Sequence, residues 1–231
     1  MMFLLDPFFL LIISPGLLLS MLASFYTKST FKRYSKIASR KGWTGAEAAA
    51  EMLRRNGVQG VRIERAGGML SDHYDPRSHT LRLSRGVYNN RSLAAIGVAC
   101  HEAGHALQHA QNYAPLKVRT AMVPAASFGS NAAFAFIIGG VLFQSQGLFL
   151  LGAFVFAGAV LFSVVTLPVE WNASARAKQA MVTAGVVSEQ ERAQASQVLN
   201  AAFLTYVAAA VTAILQLLYF LMRAGIFGGD E

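Results

Sequence analysis

The sequence predicts a mainly α-helical integral membrane fold, with about four transmembrane helices and a small β hairpin or sheet on the cytoplasmic side. Three observations carry the prediction. Apolar residues fill 54% of the 231 positions and charged residues only 14%, where a soluble domain carries about 25% charged residues. Four apolar runs (1–26, 125–143, 148–169 and 201–222) approach or exceed the roughly 20 residues a helix needs to cross a bilayer. The polar stretch between the first two runs holds two short segments with strand character.

The first run, Met1 to Tyr26, has Asp6 as its only charge, and the basic residues Lys28, Lys32, Arg33, Lys36, Arg40 and Lys41 follow it. A signal peptide would carry its basic residues first. The order seen here is that of a retained anchor whose C-terminal end lies in the cytoplasm. Pro15-Gly16 can kink the helix, which lipid-embedded helices tolerate. The formal net charge of +8 has the same explanation, because these residues flank a span rather than forming the basic, aromatic-rich face that nucleic acid requires. No nucleic-acid partner is expected; the bilayer is.

Thr44-Gly45-Ala46-Glu47 reads as a capping box opening a helix with Ala48, Met52 and Leu53 on its apolar face, closed by Asn56-Gly57. Val58 to Ile63 reads as a strand, Gly67-Gly68 as a break, Asp72 to Pro76 as a turn, and His79 to Ser84 as a second strand. A helix from Ser92 to about Asn112 follows. The uncharged 125–143 and apolar 148–169 runs, joined at Gln144 to Gly147, form a transmembrane hairpin. A polar helix from Glu170 to about Gln197 precedes the last run. The resulting organisation is an anchor (1–26), a cytoplasmic part (27–124), a transmembrane hairpin (125–169), a helix (170–200), a transmembrane helix (201–223) and a tail (224–231).

The chemistry sits on the helix after Ser92. His101 and His105 are four residues apart, so they stack on one helix face about 6 Å apart and can share one metal ion. Glu102 projects beside them and can take the proton of a metal-bound water, which is the mechanical content of an HExxH pattern. Gly104 permits another element to approach closely. Cys100, the only cysteine, excludes an intrachain disulfide and reads as a small buried helix residue. A catalytic zinc takes a third protein ligand and keeps one position open. His109 stands about 12 Å along the helix from His101, too far to converge on the same ion, and reads as a polar residue of the helix face. His73 could swing in from its turn. Glu170, following Pro168, suits a helix N-terminus electrostatically. Spacing alone leaves open whether Glu170 is a ligand or only a helix-start residue.

A resemblance bears on that choice. Glu170-x-x-Ala173-Ser174-x-x-Ala177, after HExxH and a transmembrane hairpin, resembles the gluzincin pattern of the HtpX and CAAX-prenyl-protease type. More closely, Asp72-His73-Tyr74-Asp75-Pro76-Arg77, Leu81-Arg82-Leu83-Ser84, His101-Glu102-Ala103-Gly104-His105-Ala106-Leu107-Gln108 and Leu167-Pro168-Val169-Glu170 resemble the YugP-like membrane zinc peptidases, the zinc peptidase 2 family, over nearly the whole chain. The resemblance implies a gluzincin-like metal helix in a multi-pass protein of a bacterial cell membrane. It implies one Zn2+ per chain on His101, His105 and Glu170, Glu102 as general base, and a peptide or membrane-protein substrate cut on the cytoplasmic side. One departure matters: Ser174 stands where the broader pattern has the aspartate that orients a ligand histidine. Either Asp72 or Asp75 supplies that role or the metal is held less tightly. Arg176 is a candidate for stabilising an oxyanion, against the plainer reading of a solvated helix-face arginine. Thr80, Leu81, Arg82 and Leu83 are candidates for a strand that pairs with an extended substrate.

Three other readings compete. A zinc-stabilised scaffold or chaperone-like adaptor has no use for Glu102. A transporter usually carries ionisable residues within its spans, and here only Asp6, near one end, does so. A metal-dependent hydrolase acting on a non-peptide bond shares the same zinc chemistry.

Overall fold

The computed structural model describes residues 6–68 and 71–226. The first five residues of the predicted anchor and residues 227–231 of the predicted tail lie outside them. Chain order is α1 (Pro7–Tyr34), α2 (Gly45–Arg55), β1 (Arg62–Ala66), β2 (His73–Asp75), β3 (Thr80–Ser84), α3 (Arg85–Tyr88), α4 (Leu93–Ala110), α5 (Ala114–Leu142), α6 (Gln146–Thr183) and α7 (Glu189–Arg223). Four of these helices, α1, α5, α6 and α7, are long and apolar enough to cross a membrane. The mainly α, multi-span class read from the sequence is therefore the observed one.

The chain divides into two compact units. The first comprises residues 1–23, 118–167 and 205–231. Its interior is aromatic and aliphatic: Phe9, Ile13, Ile137, Phe149, Phe156 and Phe220 are among its buried residues. The Gly- and Ala-rich composition of the hairpin serves close backbone approach. A Cβ at Gly152 would stand 2.8 Å from Ile137 N and 2.9 Å from Ala133 O, and one at Gly140 would stand 2.5 Å from Phe149 N. Small residues at such crossings bring apolar helices into contact where no hydrophobic drive separates protein from lipid. Asp6 accepts a 2.7 Å hydrogen bond from the Tyr219 hydroxyl, and Arg223 stands 3.7 Å from it.

The second unit comprises residues 24–117 and 168–204 and contains every Lys and Arg of the chain except Arg119 and Arg223. α4 is its centre. Leu93, Ile96, Ala99, Cys100, Ala103 and Leu107 are buried in one core with Met52 and Leu53 of α2, Leu81 and Leu83 of β3, and Met181 of α6. The start of α2 is the capping box expected: Glu47 N donates to Thr44 Oγ1 at 3.2 Å and Thr44 N to Glu47 Oε2 at 2.8 Å. Ser92 caps α4 by accepting from Ala95 N at 3.2 Å.

The structure corrects several local readings. Of the hairpin or sheet expected, the structure has the sheet, in which β1 and β3 pair in parallel. β2, read as a turn, pairs antiparallel with β3, giving the order β1-β3-β2. The tight turn lies instead at 76–79, where Asp75 accepts from Arg77 N and Ser78 Oγ. Glu170 does not open a helix: α6 runs unbroken from Gln146 to Thr183 through Pro168. Proline removes one backbone donor, a loss that apolar, neighbour-packed helices absorb. The true break falls at 184–188, where Gly185 takes φ +66, as a helix C-terminus requires. Ser188 and Glu191 then form a second capping box that starts α7, with Ser188 N donating to Glu191 Oε2 at 2.9 Å and Glu191 N to Ser188 Oγ at 3.3 Å.

Candidate metal centre

α4 and the part of α6 that belongs to the second unit supply the site. α4 carries His101, Glu102 and His105, and α6 carries Glu170 and Ser174. Their backbones touch because residue 104 is glycine: a Cβ there would stand 2.5 Å from Ala173 O. This crossing sets the α4 face bearing both histidines against the α6 turn bearing Glu170.

His101, His105 and Glu170 each offer one ligand atom, and the three atoms lie within 4.8 Å of one another. Glu170 Oε2 is 3.1 Å from His101 Nε2 and 3.6 Å from His105 Nε2. Glu170 is 1% exposed and His105 6% exposed. A buried carboxylate is costly unless paired, and the two imidazoles are its partners here. Burial disfavours the imidazolium of His105, but the hydrogen bond and charge of Glu170 more than offset this and raise its pKa. Two imidazole nitrogens and a carboxylate form a donor set able to hold a metal ion.

Each histidine is oriented from behind. Gln108 Nε2 donates to Val169 O at 2.8 Å and to Asn172 Oδ1 at 3.0 Å. A carbonyl only accepts, so Gln108 Oε1 must face His105 Nδ1, at 2.9 Å. His105 therefore carries a proton on Nδ1, and its neutral ring turns the Nε2 lone pair to the site, where a metal ion would take the place of the proton that Nε2 otherwise shares with Glu170. Ser174 Oγ lies 3.0 Å from His101 Nδ1. The serine thus occupies the position expected of an orienting aspartate, with a hydroxyl in place of a charge. Neither Asp72 nor Asp75 substitutes for it. Asp72 accepts from Ser84 N and Ser84 Oγ, and Asp75 is held by the 76–79 turn and Arg82.

Glu102 is 9% exposed, and its Oε2 accepts from Tyr74 N at 3.1 Å. In an antiparallel pair, a residue that does not exchange bonds with its partner points its amide to the other edge. The Tyr74 amide accordingly leaves β2 on the side away from β3, towards Glu102. β3 itself has a partner on each side, which corrects the expectation that Thr80, Leu81, Arg82 and Leu83 pair with a substrate: their backbone groups are already spoken for. β2 is the edge strand next to α4.

The remaining candidates lie apart from the triad. His73 is exposed, with Nδ1 2.8 Å from Ser71 O. His109 packs against Tyr74 and His79. The Arg176 guanidinium bonds to Asn172 Oδ1 at 2.6 Å and to Gln111 Oε1 and packs on the face of Tyr113, which ties α6 to the end of α4. Cys100 is fully buried, which pushes its thiol up to about 12 and keeps it a neutral core residue. Gln108, Asn172 and the Tyr74 amide escaped the sequence reading. Only Gln108 gave a signal, standing three residues after His105 on the same helix face.

A family model described as "putative neutral zinc metallopeptidase" matches residues 9–225. A protein of Bacillus subtilis (strain 168) named "putative membrane protease YugP" is 47% identical over 204 residues, covering 88% of this chain and 91% of the relative. No solved structure matches the chain.

Proposed function

Because the chain belongs to this family of zinc metallopeptidases, we propose that it is a multi-pass membrane zinc endopeptidase, with His101, His105 and Glu170 holding one Zn2+ and Glu102 as general base. The observation that carries the reading is the spacing of the donor atoms. Ligands 2.0–2.1 Å from a tetrahedral zinc stand about 3.4 Å apart, and Glu170 Oε2 lies 3.1 and 3.6 Å from the two ring nitrogens. Zinc, when bound, supplies Lewis acidity that acidifies water and polarises a peptide carbonyl.

The chain's own residues do the rest. Gln108 and Ser174 fix the imidazole rings so that both Nε2 atoms face inward. The Tyr74 amide holds one oxygen of Glu102, which leaves the other to take a proton from the attacking water and return it to the leaving amine. Basic residues at the end of α1 support a cytoplasmic second unit, and the substrate on this reading is a peptide segment of a membrane protein or one near the membrane on that side.

The test is hydrolysis by detergent-purified protein and its Glu102→Gln variant, with bound zinc measured in both. Zinc retained with turnover lost is expected; retained turnover would remove Glu102 from the role of base.

A further inference from the structure

Of the chain's five histidines, two belong to the triad and His73 is tied to Ser71 O. The remaining two face each other. The ring centroids of His79 and His109 are 4.9 Å apart at 52°, the same separation as between His101 and His105. Non-local elements bring them together: His79 ends the β2–β3 turn, and His109 lies in the last turn of α4. His79 is held there at φ +50, a left-handed conformation that non-glycine residues rarely adopt. Beside them opens a pocket of about 280 Å³, with Tyr74, His79 and His109 on its polar side and Val58, Val61 and Ala106 among its apolar walls.

Three features suit this pair to a metal ion. Tyr74 Oη lies 2.9 Å from His109 Nδ1. The phenol can accept from Nδ1–H, leaving the Nε2 lone pair to a ligand, as Gln108 does for His105. Burial, His79 and Lys117 hold His109 below the ordinary imidazole value, so the ring is neutral near pH 7. The lining contains no carboxylate, which disfavours Ca2+ and Mg2+ and leaves imidazole donors that suit Zn2+, Ni2+ and Cu2+.

We infer that His79 and His109 form a second site, for a divalent transition-metal ion, separate from the triad. Two protein nitrogens bind the ion and water completes its shell, so it is weaker than a three-ligand site and fills only when metal is in excess. It does not depend on the chain being a peptidase. Tyr74 joins the two sites, since its amide holds Glu102 and its hydroxyl faces His109.

The experiment is metal stoichiometry of full-length, tag-free protein in detergent, stripped by chelator and equilibrated with excess Zn2+, followed by electron paramagnetic resonance with Cu2+. Wild type is expected to take up two equivalents. His79→Asn, a residue that accepts left-handed backbone, and His109→Gln should each take up one. Cu2+ bound to His101→Ala should show coordination by two imidazole nitrogens, lost when His79→Asn is added. A single equivalent in wild type under excess metal, or two equivalents kept by both His79→Asn and His109→Gln, would overturn the inference.

Discussion

The residues that build the candidate metal centre differ in how plainly they announce themselves. His101, Glu102 and His105 are legible because a helix repeats its face every four residues, and the pattern needs nothing from elsewhere in the chain. Glu170 needed the family resemblance, since its spacing is equally that of a helix-start residue. It is not one, as α6 passes straight through it. Gln108 gave a spacing signal alone, because a glutamine three residues after a histidine acquires meaning only once Val169 O fixes which way its amide points. Gln108→Ala should therefore leave the fold intact and weaken zinc about 10- to 100-fold, as loss of such supporting hydrogen bonds does. Competition with a zinc indicator measures this, and an unchanged affinity would show that His105 needs no orienting partner. Cys100 is predicted to resist thiol reagents at pH 8 in the folded protein. Its pKa is raised to about 12 by burial, so the thiolate is scarce well below that pH; labelling should appear only after denaturation.

At the level of elements, cap chemistry was the reliable guide, while turns and breaks were not. The capping box before α2 and the serine cap of α4 stood in the sequence and in the structure alike. Pro168 suggested a helix boundary because in water a proline ends most helices, whereas α6 carries it internally. The actual boundary, Gly185 followed by Ser188 and Glu191, bears the ordinary stop and start signals and was overlooked beside the proline. β2 has only three residues, too few for alternation to emerge, and the parallel pairing of β1 with β3 depends on contacts that no local pattern encodes. Helix crossings make the sharpest predictions at this scale. Gly152→Val must push apart backbones that already leave a Cβ less than 3 Å from Ile137 N and Ala133 O, so its thermal midpoint in detergent should fall; an unchanged midpoint would mean that α5 and α6 do not meet there. Met52→Ala in the fully buried core around α4 should cost about 2–5 kcal/mol, read from denaturant unfolding of the purified protein.

For the whole molecule, hydropathy and charge asymmetry conveyed the architecture before any motif was considered. Four long apolar helices account for the composition, and nearly all basic residues fall in the unit that holds the triad. The proposal that this unit faces the cytoplasm predicts that a cysteine placed at exposed Arg77 in a Cys100→Ala background is shielded from a membrane-impermeant thiol reagent in intact cells and labelled after lysis. Labelling in intact cells would reverse the orientation. The central claim is that one zinc ion joins α4 to α6 through His101, His105 and Glu170. Its most direct test is the zinc content of detergent-purified protein after dialysis against zinc-free buffer, for wild type beside His101→Ala and Glu170→Ala. One zinc per chain in wild type, lost from both variants, is the predicted result. Zinc kept without Glu170, or no zinc in wild type even after it has been supplied, would contradict the site.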